Sequence, residues 1–201
     1  MKLVVFSDFD GTITKADTLD KIISDVYSFE AYKRAENALL SGELRFETYL
    51  SNMFEGITYD TQRLNGSIEP TFFPFYTWLL EHDIEFHVVS SGFKRIIRGL
   101  LPDVPEHVIH ANDVTDEWNV QLHDGDRSID KTAIVAQYHK SDTTSIFLGD
   151  GLSDFSVIGK IDVLFCKQGT LLHEKCMREG HAHVVFRDFN DVRAEIQKML
   201  V

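Results

Sequence analysis

The chain has 201 residues and a formal net charge of −12. An apolar share of 43% supplies one domain with a full core, and no run approaches the roughly 18 apolar residues of a membrane span. No basic stripe accompanies the acidic balance, so a nucleic-acid surface and a membrane anchor both leave the list of expected functions. Two cysteines, Cys166 and Cys176, do not make a disulfide framework. The N-terminus runs into a strand without the layout of a signal peptide, so a cytoplasmic location is expected.

Residues 2–7 are too short and too apolar for an amphipathic helix and predict a buried strand. Thr18 to Val26 carries apolar residues at helical spacing (Leu19, Ile22, Ile23, Val26). Phe29 to Leu40 and Phe46 to Phe54 continue as helices, and 63–68 is ambiguous. Residues 15–70 therefore hold short helices and no convincing strand. A strand-to-strand crossover needs only about 30 residues, so this stretch predicts an inserted helical cap, with the core built from 1–14 and 71–201. Pro70 ends the insertion, and Pro74 suits the first turn of a helix running to Glu81. The aromatic cluster Phe72, Phe73, Phe75, Tyr76 and Trp78 is expected to pack that helix on the sheet and the cap on the core.

Glu85 to Val89 predicts the second core strand, closing in Ser90-Ser91-Gly92. A helix from Lys94, a short strand over 108–111 and an antiparallel excursion over 117–122 follow. Lys131 to Tyr138 is a helix, and Ser145 to Leu148 a strand entering Gly149-Asp150-Gly151-Leu152-Ser153-Asp154. Val163 to Cys166, a helix over 171–179, a strand over 182–186 and a helix over 191–200 complete the chain. Strands alternating with helices predict an α/β fold with a doubly wound parallel sheet.

Three core strands thus end in polar clusters: Asp8 and Asp10, Ser90 to Gly92, and Asp150 to Asp154. Each alone has an ordinary reading as a turn. Ligands of open parallel sheets bind outside the carboxyl ends of the strands, where three such ends can meet. Strand alternation points Asp8 and Asp10 the same way while Phe9 turns into the core. Two neighbouring acids need a cation between them or a shared proton. One acid attacking phosphorus and one managing the leaving-group proton, with a divalent ion, would use both conditions.

In this order the clusters resemble the haloacid dehalogenase superfamily of phosphatases. DFDGT over 8–12 is similar to its first motif, Ser90 to its second, Lys131 to its third and GDGLSD over 149–154 to its fourth. The cap between the first two motifs resembles the small helical-cap group that includes phosphoserine phosphatase and the methionine-salvage phosphatases. The resemblance implies a Mg2+-dependent phosphomonoester hydrolase with an aspartyl-phosphate intermediate, acting on a small phosphorylated metabolite as a monomer or homodimer. It implies Asp8 as nucleophile and Asp10 as proton donor and base. Mg2+ would be held by Asp8, the Asp10 carbonyl and Asp150, with Asp154 supporting the metal from behind. Thr12, Ser90, Ser91, Gly92, Lys131 and Ser153 would face the phosphate, although Ser153 stands where the family commonly has Asn. Asp17 would meet the substrate. Where a phosphoserine phosphatase has an arginine for the substrate carboxylate, this chain has Met53, which cannot pair a carboxylate. Met53 and Phe54 would instead offer an apolar wall to a methionine-salvage thioether such as a hydroxy-keto-methylthiopentenyl phosphate. Phosphoserine, or phosphotransfer with the same chemistry, stays open as the alternative. His181, His183, Cys166 and Cys176 are expected to be structural.

Overall fold

A computed structural model describes residues 2–138 and 142–200. Its centre is β1 (Lys2–Ser7), whose Leu3, Val4, Val5 and Phe6 are all buried. Such an unbroken apolar run is what a parallel strand needs when both of its faces are covered. Parallel neighbours flank it: β2 (Glu85–Phe93) on one side and β5 (Thr143–Gly149) on the other. Beyond β2 lie β3 (Ile109–Val114) and the short antiparallel β4 (Val120–Gln121), the edge hairpin expected from the sequence. Beyond β5 lie β6 (Val163–Lys167) and β7 (Val184–Phe186). The order β4-β3-β2-β1-β5-β6-β7 places the topological switch between β1 and β5.

Side-chain alternation along β1 divides the core in two. Leu3 and Val5 face α4 (Phe72–Glu81) and α8 (Phe189–Met199), while Val4 and Phe6 face α6 (Lys131–Tyr138) and α7 (Leu171–Glu179). α4 begins three residues before the expected Phe75, which puts Pro74 in the first turn, where its missing N–H has no intrahelical partner to lose. Phe72 and Phe75 pack on Phe189, and Tyr76 packs on Phe86, so the aromatic cluster is core; Phe73 alone is exposed. α5 (Lys94–Leu100) covers β2 and β3.

The chain between β1 and α4 forms α1 (Thr18–Val26), α2 (Phe29–Leu40) and α3 (Phe46–Phe54). Asp17 starts α1 by accepting hydrogen bonds from the Leu19 and Asp20 N–H groups, and Ser28 caps α2 in the same way. The two segments that flank these helices are bonded to each other. Lys15 N–H donates to the Ser67 carbonyl at 2.8 Å, and Glu69 N–H to the Ile13 carbonyl at 2.8 Å. α3 is anchored by Tyr49, Leu50, Met53 and Phe54, whereas α2 has no buried residue. Cys166 and Cys176 are fully buried in the core as free thiols, the Cys166 thiol donating to Cys176 Sγ at 3.8 Å.

Candidate active site

The chain turns sharply as soon as β1 ends. Thr14 N–H reaches back to the Phe9 carbonyl at 3.0 Å, and Gly11 takes φ = 78° in the middle of the loop, a conformation that costs a residue with a Cβ. Gly11 has a second constraint. A Cβ there would lie 2.3 Å from Asp150 Oδ2, so the close approach of the β1 and β5 loops depends on its absence. Lys167, at the end of β6, donates to the Gly11 carbonyl at 2.6 Å and fixes the outer side of the same loop.

Asp8 is 5% exposed. Its Oδ1 accepts a 2.8 Å hydrogen bond from Lys131 Nζ, and Lys131 donates a second, of 2.7 Å, to Asp154 Oδ1. Asp154 is fully buried, and its Oδ2 accepts the N–H groups of Asp150 (2.9 Å) and Gly151 (3.0 Å). Both Asp154 oxygens are therefore engaged, one holding Lys131 and one holding the loop that presents Asp150. Burial first, and the neighbouring charge of Asp154 second, push the Asp8 carboxyl well above the usual carboxylate range, and Lys131 opposes them. Burial alone would lower the Lys131 ammonium, but Asp154 and Asp8 override it and hold its proton more tightly than usual.

Asp10 is partly exposed. Its Oδ1 accepts both the N–H (2.9 Å) and the hydroxyl (2.5 Å) of Thr18, the first residue of α1. Burial raises its carboxyl above the ordinary value, and the Thr18 bonds offset part of that rise. Asp150 accepts the Thr12 hydroxyl on Oδ1 at 2.8 Å; burial, then Asp154, push it up to about 6.

The third strand end owes its shape to a break in pairing. Ser90 pairs with Ala111 and Phe93 with Asn112, so two residues of β2, Ser91 and Gly92, bulge out of the ladder into the cleft. This corrects the expected strand end at Val89: β2 runs on to Phe93 and carries its polar residues in a bulge. Gly92 N–H donates to Ser90 Oγ at 3.0 Å. A Cβ on Gly92 would come within 2.6 Å of Asp10 Oδ2, and one on Gly149 within 2.5 Å of Asp154 Oδ2. Buried Asn112 ties the bulge to the segment leading into α6: its Nδ2 donates to the Ser91 carbonyl (2.8 Å) and to Ser128 Oγ (2.9 Å).

These strand ends and the helices α1 to α3 enclose a cleft of about 370 Å³. Asp8, Asp10, Asp17, Ser90, Ser91 and Gly92 line it from one side. Asp150 and Ser153 line it from the other, with α1, α2 and α3 above. Four of the sequence-derived residues stand elsewhere. Lys131, Thr12 and Asp154 lie buried behind the wall, acting on Asp8 and Asp150. Met53 is 6% exposed, belongs to the main core and does not line the cleft. On α3 it is Phe46 and Tyr49, one turn apart, that face the cleft, and the Met53 side packs inward. The expected apolar wall from Met53 is corrected accordingly. Arg45 pairs with Glu47, and Arg63 lies near Asp25; neither reaches the cleft.

Carboxylate oxygens of Asp8, Asp150 and Asp154 fall within 4.8 Å of one another, the only such cluster of possible metal ligands among the described residues. An all-oxygen donor set with unpaired carboxyl oxygens on Asp8 and Asp150 fits a hard divalent ion. Sequence reasoning missed Thr18, Asn112 and Lys167, and also Asp20 and Glu36, which line the cleft from the cap. Thr18 carried one legible signal, as a hydroxyl residue after a capping Asp.

The arrangement gathers carboxylates at the carboxyl ends of parallel strands, where ligands of such sheets bind. The family model for haloacid dehalogenase-like hydrolases matches residues 5–158, and the chain belongs to that family. Over 98% of its length it is 30% identical to Pdp3-interacting factor 1 of Schizosaccharomyces pombe, covering 96% of that protein. It is 29% identical to the polyol phosphate phosphatase PYP1 of Saccharomyces cerevisiae, over all of this chain and 95% of that one. To the 2-hydroxy-3-keto-5-methylthiopentenyl-1-phosphate phosphatase of Bacillus cereus it is 28% identical, over all of this chain and 98% of the relative. The fold matches a phosphoserine phosphohydrolase-like protein from Francisella tularensis with a TM-score of 0.71 at 15% identity, covering 98% of this chain and 100% of that one. Within the family this protein is a phosphoric monoester hydrolase.

Proposed function

We propose that this protein hydrolyses phosphomonoesters of small alcohols through a phosphorylated Asp8, with the cap over 15–70 closing on the leaving group. The observation that carries the reading is the Asp8 carboxylate. One oxygen is held by Lys131, and the other accepts no hydrogen bond among the described residues and belongs to a residue on the cleft wall. The free oxygen attacks phosphorus while the bond from phosphorus to the ester oxygen breaks. Asp10, whose carboxyl is raised by burial, delivers its proton to the departing alkoxide. Asp10, now ionised, takes a proton from the water that attacks the acyl phosphate, and inorganic phosphate leaves as Asp8 is restored.

The Ser90 hydroxyl and the bulged Ser91 N–H are the donors for the phosphoryl oxygens, and the Gly92 N–H, which donates to Ser90 Oγ, orients that hydroxyl. Lys131 acts from beneath, offsetting Asp8 and Asp154 and keeping the Asp8 oxygens oriented. Asp8, Asp150 and the Asp10 carbonyl would hold a magnesium ion, which supplies positive charge to the transferring group. Thr12 and Asp154 orient Asp150 for that role.

A cleft of about 370 Å³ suits a small metabolite, in keeping with the polyol and methylthiopentenyl phosphates named for the relatives. The specific case for the methionine-salvage ester rested on Met53 and weakens with it; the apolar wall comes instead from Leu19, Leu39, Leu40, Phe46, Leu152 and Leu171. A phosphoserine carboxylate would meet no lysine or arginine among the described lining residues.

Asp8→Asn tests the mechanism. Magnesium-dependent phosphate release from every ester is expected to fall by at least about a thousandfold, with circular dichroism unchanged. A variant that retains turnover overturns the assignment.

A further inference from the structure

Asn112 lies on β3, is fully buried and does not line the cleft. Each of its hydrogen bonds reaches a different segment. Nδ2 donates to the Ser91 carbonyl at 2.8 Å and to Ser128 Oγ at 2.9 Å, and Oδ1 accepts the His123 N–H at 3.1 Å. Only this orientation of the amide sets a donor against the carbonyl and an acceptor against the N–H. A buried side chain used on both of its polar atoms is costly to replace, and the reaction sequence above gives it no task.

The bond to Ser91 decides which way one peptide faces. A trans peptide is planar, with its C=O and N–H pointing in opposite directions. The Ser91 carbonyl turns to Asn112, so the N–H of the same peptide, that of Gly92, turns to Ser90 Oγ and meets it at 3.0 Å. Ser90 Oγ therefore accepts, and its own proton is left for a phosphoryl oxygen. Flipping this peptide by about half a turn would reverse both relations. The Ser91 carbonyl would then face Ser90 Oγ, draw its proton and turn a partial negative charge toward the phosphate. Two features make the flip easy. Gly92 is not among the glycines with positive φ, and the flip would carry it into that region, which glycine enters without steric cost. No larger residue can bar the way, because a Cβ at Gly92 would lie 2.6 Å from Asp10 Oδ2. The bulge also takes Ser91 and Gly92 out of the ladder with β3, so the Asn112 amide stands in for the ladder donor.

We infer that Asn112 is a positioning residue for phosphoryl binding: by holding the Ser91 carbonyl away from the cleft, it locks the 91–92 peptide in the orientation that keeps the Ser90 hydroxyl a donor to the phosphate. This rests on the phosphatase reading above and adds to it the group that sets the polarity of the bulge. Asn112 touches neither substrate nor metal and acts only through Ser91, Gly92 and Ser90.

The test uses the full-length protein with magnesium and two readouts, the Kd of inorganic phosphate by titration calorimetry and kcat on p-nitrophenyl phosphate. Asn112→Leu keeps roughly the size of the side chain and removes the donor. The Kd is expected to rise by about tenfold or more and kcat to fall by about a hundredfold, the scale of one lost donor to an oxyanion. Asn112→Ala leaves room for water at the freed backbone groups; it should shift both readouts in the same direction, and it carries the test if Asn112→Leu does not fold. Ser128→Ala is the control for general loosening. It removes the other side-chain acceptor of Asn112, spares the bond to Ser91 and keeps the Ser128 N–H on Glu47 Oε1 at 3.4 Å. It should lower the urea midpoint and leave the Kd of phosphate as it was. A folded Asn112 variant with the native Kd and kcat would overturn the proposal. So would an equal loss of phosphate affinity in Ser128→Ala, since Asn112 would then act by packing alone. Failure of the native protein to release phosphate would instead strike at the phosphatase reading itself.

Discussion

Asp150→Asn is expected to make the metal-free protein more stable while removing its activity. In the fold the Asp150 carboxyl is pushed up to about 6 from an ordinary 3.8, by burial and then by the charge of Asp154. The native state therefore holds that proton more tightly than the unfolded chain does. Below about pH 4 both states are protonated and the residue contributes nothing. As the pH rises through 6 the unfolded state gains relative to the native one, and above that the full penalty applies. A gap of about two units at about 1.4 kcal/mol each sets a ceiling of roughly 3 kcal/mol, and with solvent access at the cleft about 1–3 kcal/mol is expected. Asparagine removes the charge and can still accept the Thr12 hydroxyl that now bonds Oδ1. Urea unfolding in a chelating buffer at about pH 7.5 should show the variant ahead by that amount, and at about pH 4 the two should converge. Added magnesium should raise the midpoint of the native protein and leave the variant unchanged. A variant no more stable at neutral pH, or one whose advantage persists undiminished in acid, would refute the reasoning.

Two further substitutions separate the site from its surroundings. Gly92→Ala places a methyl group 2.6 Å from Asp10 Oδ2; kcat on an alkyl phosphate should fall by about a hundredfold, and by much less on p-nitrophenyl phosphate, whose leaving group needs no proton. Met53→Ala should cost about 2–5 kcal/mol in chemical unfolding and leave the ranking of substrates as it was, because Met53 packs the core and not the cleft.

The acids, the serines and the lysine were legible because each sits at the end of a predictable element. A buried strand that stops in DFDGT or in GDGLSD announces its own position, and parallel topology brings such ends together. The helices between β1 and α4 were legible for a similar reason, their apolar spacing being local. The bulge at Ser91 and Gly92 was not, because it exists only in the register of β2 against β3. Asn112 and Lys167 escaped because their partners lie 21 and 156 residues away in sequence. Met53 misled for a related reason. Helical spacing places Phe46, Tyr49 and Met53 along one side of α3, and only the packing of α3 on the core decides which of them looks into the cleft. Asp20 and Glu36 gave no sign at all, since acidic residues on an amphipathic helix are ordinarily solvated.

Gly11, Gly92 and Gly149 each stand where a methyl group would collide with a carboxylate: Asp150, Asp10 and Asp154 respectively. The spacing of the charged groups is thus moulded by empty volume as much as by bonds. A chain that kept every acid but gained a side chain at one of these three places would hold the full set of reactive groups at the wrong separations. Absence of matter is in this sense a heritable part of the active centre, and a screen of related chains that counts only the acids will accept proteins whose chemistry is already closed off.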